Sequence, residues 1–266
     1  MKLRLGALHV HSDFSDGEFK LAELRAIFLD LGCSFVCMTD HAEAFDASRL
    51  AQYVADCGSL SDDRFRFIPG LEYNCEGRLH ILGYGVTSLF STTNPVEVIE
   101  HINQLGGISV IAHPPDRAFN SIEEFGSALQ GIEVWNSKYD GRYAPRPQTF
   151  ELLNRMQQRA PGLHAYYGLD LHWKRQFRGL LVRIGSDDFE SGAVLSALSR
   201  GDYSGIWRDQ ELPSSGNLPA ELMDRFAAIH ARSSQFRSMA KSCKAFLDRT
   251  GLRVPDSIKA QLRRFF

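Results

Sequence analysis

Short apolar or β-branched runs alternate with amphipathic stretches from the first residues onward, which is the pattern of repeated strand–helix units around a largely parallel sheet. Strand-like runs fall at Leu3–His11, Ser34–Thr39, Phe65–Tyr73, Leu79–Tyr84, Ile108–Ala112, Gly131–Trp135 and Leu163–Leu169, with helical periodicity between most of them. Local signals mark the boundaries. Gly32 follows a helix over Leu21–Leu31 as its C-terminal cap, Asn94-Pro95 supplies an N-cap and first-turn proline, and Ser121 with Glu124 has the spacing of a capping box. The one departure from strict alternation is the pair Phe65–Tyr73 and Leu79–Tyr84, whose junction at Glu76-Gly77 predicts a hairpin. A single α/β barrel is the natural closure.

The pattern changes after residue 212. Pro213, Ser214, Ser215 and Gly216 read as a linker into a helical stretch in which Leu222, Phe226 and Ile229, then Phe236, Met239, Cys243 and Phe246, recur at helical spacing. The expected organisation is therefore a barrel over 1–212 and a basic helical extension over 213–266, its apolar face packing on the barrel or on a second subunit. Residues 213–266 hold ten Lys/Arg against four Asp/Glu, leaving 20 against 28 in residues 1–212. Nucleic-acid or membrane binding is the competing reading of the basic tail.

The 266 residues, 44% hydrophobic and 23% charged, suffice for a substantial core in one domain. No apolar run approaches the ~20 residues needed to cross a bilayer, and no signal-peptide core follows Met1-Lys2, so a cytoplasmic protein without membrane contact is expected. Cys33, Cys37, Cys57, Cys75 and Cys243 are an odd set without a C-x-x-C pair, and are read as reduced and mostly buried.

Chemistry enters with the histidines. Six of the nine, His9, His11, His41, His80, His113 and His172, stand near acidic residues where strands should end. In a β/α barrel the loops after the strand ends converge on one face, so residues distant in sequence can share a site. His9 and His11, at i and i+2 of a strand, point to one side, and Asp16 in the following loop can fold back onto them. Thr39-Asp40-His41 and Asp170-Leu171-His172 end two other runs, Glu72 closes a third, and His113 precedes Pro114-Pro115. Carboxylates and imidazoles gathered without metal would repel one another and lose hydration, whereas divalent ions turn that penalty into binding energy. Mixed N and O donors suit Zn²⁺, Mn²⁺ or Fe²⁺.

His9-Val10-His11-Ser12-Asp13-Phe14-Ser15-Asp16-Gly17, Thr39-Asp40-His41, Pro69-Gly70-Leu71-Glu72 with His80-Ile81-Leu82-Gly83-Tyr84, His113-Pro114 and Gly168-Leu169-Asp170-Leu171-His172 together resemble the ordered motifs of the PHP (polymerase and histidinol phosphatase) family over roughly residues 3–205. The resemblance implies a distorted seven-stranded β/α barrel with two or three divalent metals. It places His9, His11, Glu72 and Asp170 on one metal, Glu72, His80 and His113 on a second with Glu72 bridging, and Asp16, His41 and His172 on a third. None of these nine positions is substituted, which favours an active enzyme.

Three carboxylates against three dications leave roughly +3 with neutral imidazoles, a site that attracts an anion. The expected activity is hydrolysis of a phosphate ester, such as a small phosphomonoester, a nucleotide or an oligonucleotide end, by attack of a metal-bridging hydroxide. Arg117, Lys138, Arg142 and Arg146 are the cationic candidates for gripping phosphate, with Tyr139, Tyr143 and Trp135 available to stack a ring. Asp40 either orients a ligand imidazole or caps its strand, and Trp173 either shapes the pocket mouth or packs. Two alternatives remain: an amidohydrolase-like enzyme acting on C–N or C–O bonds, against which no Lys is placed as an obvious bridging ligand, and a nucleic-acid-binding or proofreading-support module.

Overall fold

Residues 2–141, 144–177 and 179–250 are described by a computed structural model. Its strands in chain order are β1 (Leu3–Val10), β2 (Cys33–Met38), β3 (Asp40–His41), β4 (Arg66–Ile68), β5 (Gly70–Cys75), β6 (Leu79–Tyr84), β7 (Ile108–Ala112), β8 (Gly131–Asn136), β9 (His164–Gly168), β10 (Leu180–Gly185), β11 (Tyr203–Trp207) and β12 (Gln210–Pro213). They form two six-stranded sheets, in the orders β12-β11-β10-β1-β2-β4 and β3-β5-β6-β7-β8-β9. Helices α1 (Leu21–Asp30), α2 (Ala47–Ser59), α3 (Pro95–Gln104), α4 (Phe119–Glu123), α5 (Pro147–Gln157), α6 (Ser191–Arg200) and α7 (Ala220–Thr250) complete a mixed α/β fold.

The sheets meet along two seams. Only Thr39 separates β2 from β3 and only Pro69 separates β4 from β5, so two neighbouring strands pass from the first sheet into the second. On the other side Leu169 N–H donates to Leu8 O and His11 N–H to Leu171 O, at 2.9 and 3.0 Å, tying β1 to the chain that follows β9. The hydrogen-bonded ladders among the described residues do not run on into one closed sheet.

Several expectations hold in detail. Gly32, at φ 77°, ends the first helix, and the Asn94 side chain accepts from Val96 N–H and Glu97 N–H at the start of α3. β5 and β6 pair antiparallel through Gly77 at φ 72°, a conformation that costs glycine little. Others need correction. Alternation ends earlier than expected, because β6 also pairs antiparallel with β7, and β10, β11 and β12 add an antiparallel meander beyond Leu169. Ser121 does not cap a helix: its hydroxyl donates to Ala118 O inside a helical stretch that starts at Asp116.

The segment after β12 is pinned to the body. Ala165 N–H donates to Ser214 O, the Ser214 hydroxyl donates to Gly201 O, and Pro213 itself pairs with Ser204. In α7, Phe226 is fully buried against Trp135 and Trp207, with ring centroids 5.5 and 5.8 Å away, and Leu222, Met223 and Ile229 pack partly buried against the core. Met239 is exposed, and the side chains of Phe236, Cys243 and Phe246 lie outside the described residues. Cys33, Cys37, Cys57 and Cys75 are free and buried, and burial pushes the Cys33 and Cys75 thiols up to about 12. No helix among the described residues is long and apolar enough to cross a membrane.

Because Phe226 fills a closed aromatic niche, Phe226→Ala should leave a cavity and lower stability by about 3 kcal/mol. Chemical denaturation followed by tryptophan fluorescence measures this directly; a loss below ~1 kcal/mol would show that α7 contributes little to the core.

Candidate metal centre

Glu72 sits at the centre of the histidines because of strand register. It lies directly across from His41 in the parallel β3–β5 pair, and diagonally from His80, which stands opposite Asn74 in the antiparallel β5–β6 pair. His80 in turn faces Ala112 of β7, so the next residue, His113, enters the same space. Glu72 is 1% exposed. Its Oε1 lies 2.6 Å from His80 Nδ1 and 3.2 Å from His113 Nε2, and its Oε2 lies 3.2 Å from His11 Nε2, 3.3 Å from His9 Nε2 and 3.5 Å from His41 Nδ1.

A second carboxylate, Asp170, faces the same rings from the other seam. Its Oδ1 is 3.8 Å from both His9 Nε2 and His11 Nε2 and 3.1 Å from His172 Nδ1, and its Oδ2 is 3.8 Å from His113 Nε2. Asp16 closes the outer side at 3.2 Å from His172 Nε2 and 3.7 Å from both His11 Nδ1 and His41 Nε2, and is half-exposed. The nine expected donors therefore converge. They divide into four overlapping groups whose ligand atoms all lie within 4.8 Å of one another: His11, Asp16, His41 and His172; His9, His113 and Asp170; His9, His11 and Glu72; and His41, Glu72 and His80.

The way they converge differs from the strand argument. His9 has φ 60°, His113 φ 28° and Asp170 φ 51°, so three donors occupy left-handed backbone that side chains rarely adopt. Each such residue costs about 1–3 kcal/mol and persists only where its surroundings impose it. His9 and His11 thus share a target through a kink and a register shift in β1, and Asp170 aims inward from a kinked segment beyond β9. Gly17 completes the loop that carries Asp16, since a Cβ there would stand 2.6 Å from His11 O.

Charge coupling is strong. Burial alone would depress the pKa of His9, but Glu133, Asp170 and Glu72 overcome it and hold the imidazolium form well above its ordinary range. Burial likewise opposes ionisation of Glu72 and Asp170, yet the surrounding imidazoles keep both well below the usual carboxylate range. His11 is the opposite case: burial pushes it down to about 3. Neither of its ring nitrogens has a hydrogen-bond partner, although Nε2 is near Glu72 Oε2, and His41 Nδ1 is equally unpartnered. Buried imidazole nitrogens left unpaired beside ionised carboxylates are what a divalent cation requires and what a packed core avoids. The donor set fits a metal.

The cationic candidates separate. Lys138 enters the cluster, with Nζ 3.1 Å from Asp170 Oδ1 and 3.2 Å from His172 Nε2. Arg117 is exposed on the turn after His113-Pro114-Pro115 and has no partner among the described residues. Arg146 is a correction. Its guanidinium is spent on Asp140 Oδ1 at 2.6 Å, Asp116 Oδ1 at 2.5 Å and Pro114 O at 2.8 Å, so it ties the loop after His113 to the loop after β8. Arg142 and Tyr143 lie outside the described residues.

Trp135 is also corrected, being fully buried under α7, whereas Tyr139 stands half-exposed with its ring 4.5 Å from that of His113. Trp173 is partly exposed, 5.6 Å from the His172 ring. Asp40 orients no ligand imidazole. It accepts from Ser12 N–H and the Ser12 and Ser15 hydroxyls, bracing the loop that holds Asp16. Sequence reasoning missed Glu133 and Asn136, both buried in β8; a lone acid inside the apolar run Gly131–Asn136 was the available signal.

Among solved structures, the chain resembles a two-domain protein from Bacteroides vulgatus ATCC 8482 containing a predicted PHP-like metal-dependent phosphoesterase, at TM-score 0.57 and 15% identity, over 79% of this chain and 66% of that one. It therefore spans just under two thirds of that protein. PsfC from Pseudomonas syringae PB-5123 matches at TM-score 0.57 and 15% identity over 88% of this chain and 99% of its own. The lesion-specific endonuclease PfuEndoQ from Pyrococcus furiosus matches at TM-score 0.52 and 17% identity over 74% and 56%. At these identities the likeness is one of fold. No curated protein matches the chain. A family model for the PHP domain matches residues 7–159, more than half of the sequence, and the chain accordingly belongs to the PHP domain family.

Proposed function

We propose that this protein is a metal-dependent phosphoesterase, acting on a small phosphomonoester, a nucleotide or an oligonucleotide end. The observation that carries the reading is the buried His11 ring, its Nδ1 without a hydrogen-bond partner, set among the carboxylates of Glu72, Asp170 and Asp16. His9, His11, Glu72, Asp170, His80, His113, Asp16, His41 and His172 would hold two or three divalent ions, of Zn, Mn or Fe type. Such ions, when bound, polarise a phosphoryl oxygen and lower the pKa of coordinated water. The two sheets joined along their seams support the further reading of a distorted barrel; the extension expected over 213–266 starts inside β12, and its residues 251–266 lie outside the described residues.

The chain's own residues supply charge, orientation and access. Lys138 adds a fixed ammonium at the inner wall, where it can meet a phosphate oxygen while still touching Asp170. Arg117 offers an exposed guanidinium four residues after His113, and Tyr139 and Trp173 stand with their rings beside those of His113 and His172. One observation favours a second reading. The sequence offered no obvious lysine for an amidohydrolase-like centre, but Lys138 Nζ lies among the ligand atoms, so cleavage of C–N or C–O bonds stays in the test.

Protein loaded with Mn²⁺, assayed on an aryl phosphate, an aryl phosphodiester and a panel of amides, should turn over at least one phosphate ester and lose that activity in His11→Ala and Asp16→Ala. Turnover of amides alone would overturn the phosphoester assignment. Loading the metal-free protein at pH 7 should release protons, because His9 is held protonated above its ordinary pKa and must give up Nε2–H to become a ligand. Calorimetry in buffers of different ionisation enthalpy counts them, and zero release would remove His9 from the ligand set. Arg117→Ala should raise KM for the phosphate ester about tenfold or more at unchanged stability, given ~1.5–3 kcal/mol for a hydrogen bond to a charged group. Arg146→Ala should instead lower stability by about 3 kcal/mol, because it strands buried Asp140. The reverse pattern would exchange their roles.

A further inference from the structure

Glu133 belongs to none of the ligand groups, yet it is fully enclosed and saturated with donors. Its Oε1 lies 2.8 Å from His9 Nδ1. Its Oε2 accepts from His113 N–H at 2.8 Å and from Asn136 Nδ2 at 2.9 Å, and the same amide nitrogen lies 3.1 Å from Asp170 Oδ2. One carboxylate therefore touches, directly or through Asn136, the three donors whose backbones are left-handed. A carboxylate oxygen 2.8 Å from Nδ1 is placed to accept the ring's Nδ1–H, which leaves Nε2, turned toward Glu72 and Asp170, as the ring's possible ligand atom. Gly168 makes the room: a Cβ there would stand 1.7 Å from Glu133 Oε1.

We propose that Glu133 is a positioning residue of the metal centre, which fixes His9 as an Nε2 ligand and holds His113 and Asp170 at the angles the metal needs. The inference rests on the metal-centre reading above. Neutral glutamine at this position cannot serve all three donors. With two donors on the Oε2 side and one on the other, its carbonyl turns to His113 N–H and Asn136, and its NH₂ group faces His9 Nδ1. That reverses the His9 tautomer and places a proton on the nitrogen that should bind metal.

The test uses Zn²⁺, which is diamagnetic, on the full chain. In Zn²⁺-loaded wild type, imidazole ¹⁵N spectra should show His9 protonated at Nδ1. Glu133→Gln should bind Zn²⁺ about 10–100-fold more weakly by chelator competition, the range for lost partners of metal ligands. Gly168→Ala, which displaces the carboxylate without removing its charge, should weaken binding in the same direction. Finding His9 protonated at Nε2 in loaded wild type, or chelator midpoints unchanged in both variants, overturns the proposal, and the wild-type spectrum decides even if both variants fail to fold. Wild type that takes up no Zn²⁺, Mn²⁺ or Fe²⁺ at all overturns the metal-centre reading instead.

Discussion

An ionised carboxylate buried among five imidazoles is the constraint around which this molecule is organised. Glu72 is buried, and among the described residues the rings of His9, His11, His41, His80 and His113 stand within 3.5 Å of its carboxylate. Such a cluster is costly to bury, since each lone pair and proton left unsatisfied forfeits a hydration bond. The cost is tolerable where a cation completes the set, and it explains why two sheets, two seams and three strained residues are committed to one small volume.

Around the donors stands a ring of residues that touch no candidate metal position but hold those that do. Asp40 braces the Asp16 loop through Ser12 and Ser15, Arg146 ties the loop after His113 to Asp140, and Glu133 reaches His9, His113 and Asn136. Burial raises the Asp40 and Asp140 carboxyls, partly offset by the serines in one case and Arg146 in the other. Polar networks of this kind hold their members only when every member is paired. The strained φ angles at His9, His113 and Asp170 are therefore supported by hydrogen bonds, in keeping with strain retained where geometry serves a site.

Access is arranged at the rim. His9, His11, Glu72, Asp170 and His172 are buried, while Asp16, Tyr139 and Trp173 lie toward solvent. Lys138 joins the two zones, since its Nζ lies 5.4 and 5.9 Å from the ring centroids of Tyr139 and Trp173 and 3.1 Å from Asp170 Oδ1. A ligand with an anionic head and a planar or apolar body matches that gradient from fixed charge to ring faces.

The sequence by itself pointed to the nine candidate donors that the fold brings together, and to most of the elements. Histidines and carboxylates at the ends of apolar runs are informative because burial of such groups needs a partner, and strand periodicity sets which of them can face one another. It did not determine the antiparallel additions, which depend on pairings between distant segments such as Leu3 with Gly185. Nor did it determine which charge serves which neighbour. Arg146 and Lys138 sit eight residues apart in similar surroundings, and only the folded loops send one to Asp140 and the other to Asp170. Glu133 was hidden for the same reason: a single acid in a buried strand is legible as unusual, but the glycine opposite it and the imidazole beside it come from strands 35 and 124 residues away, and chain folding alone brings them together.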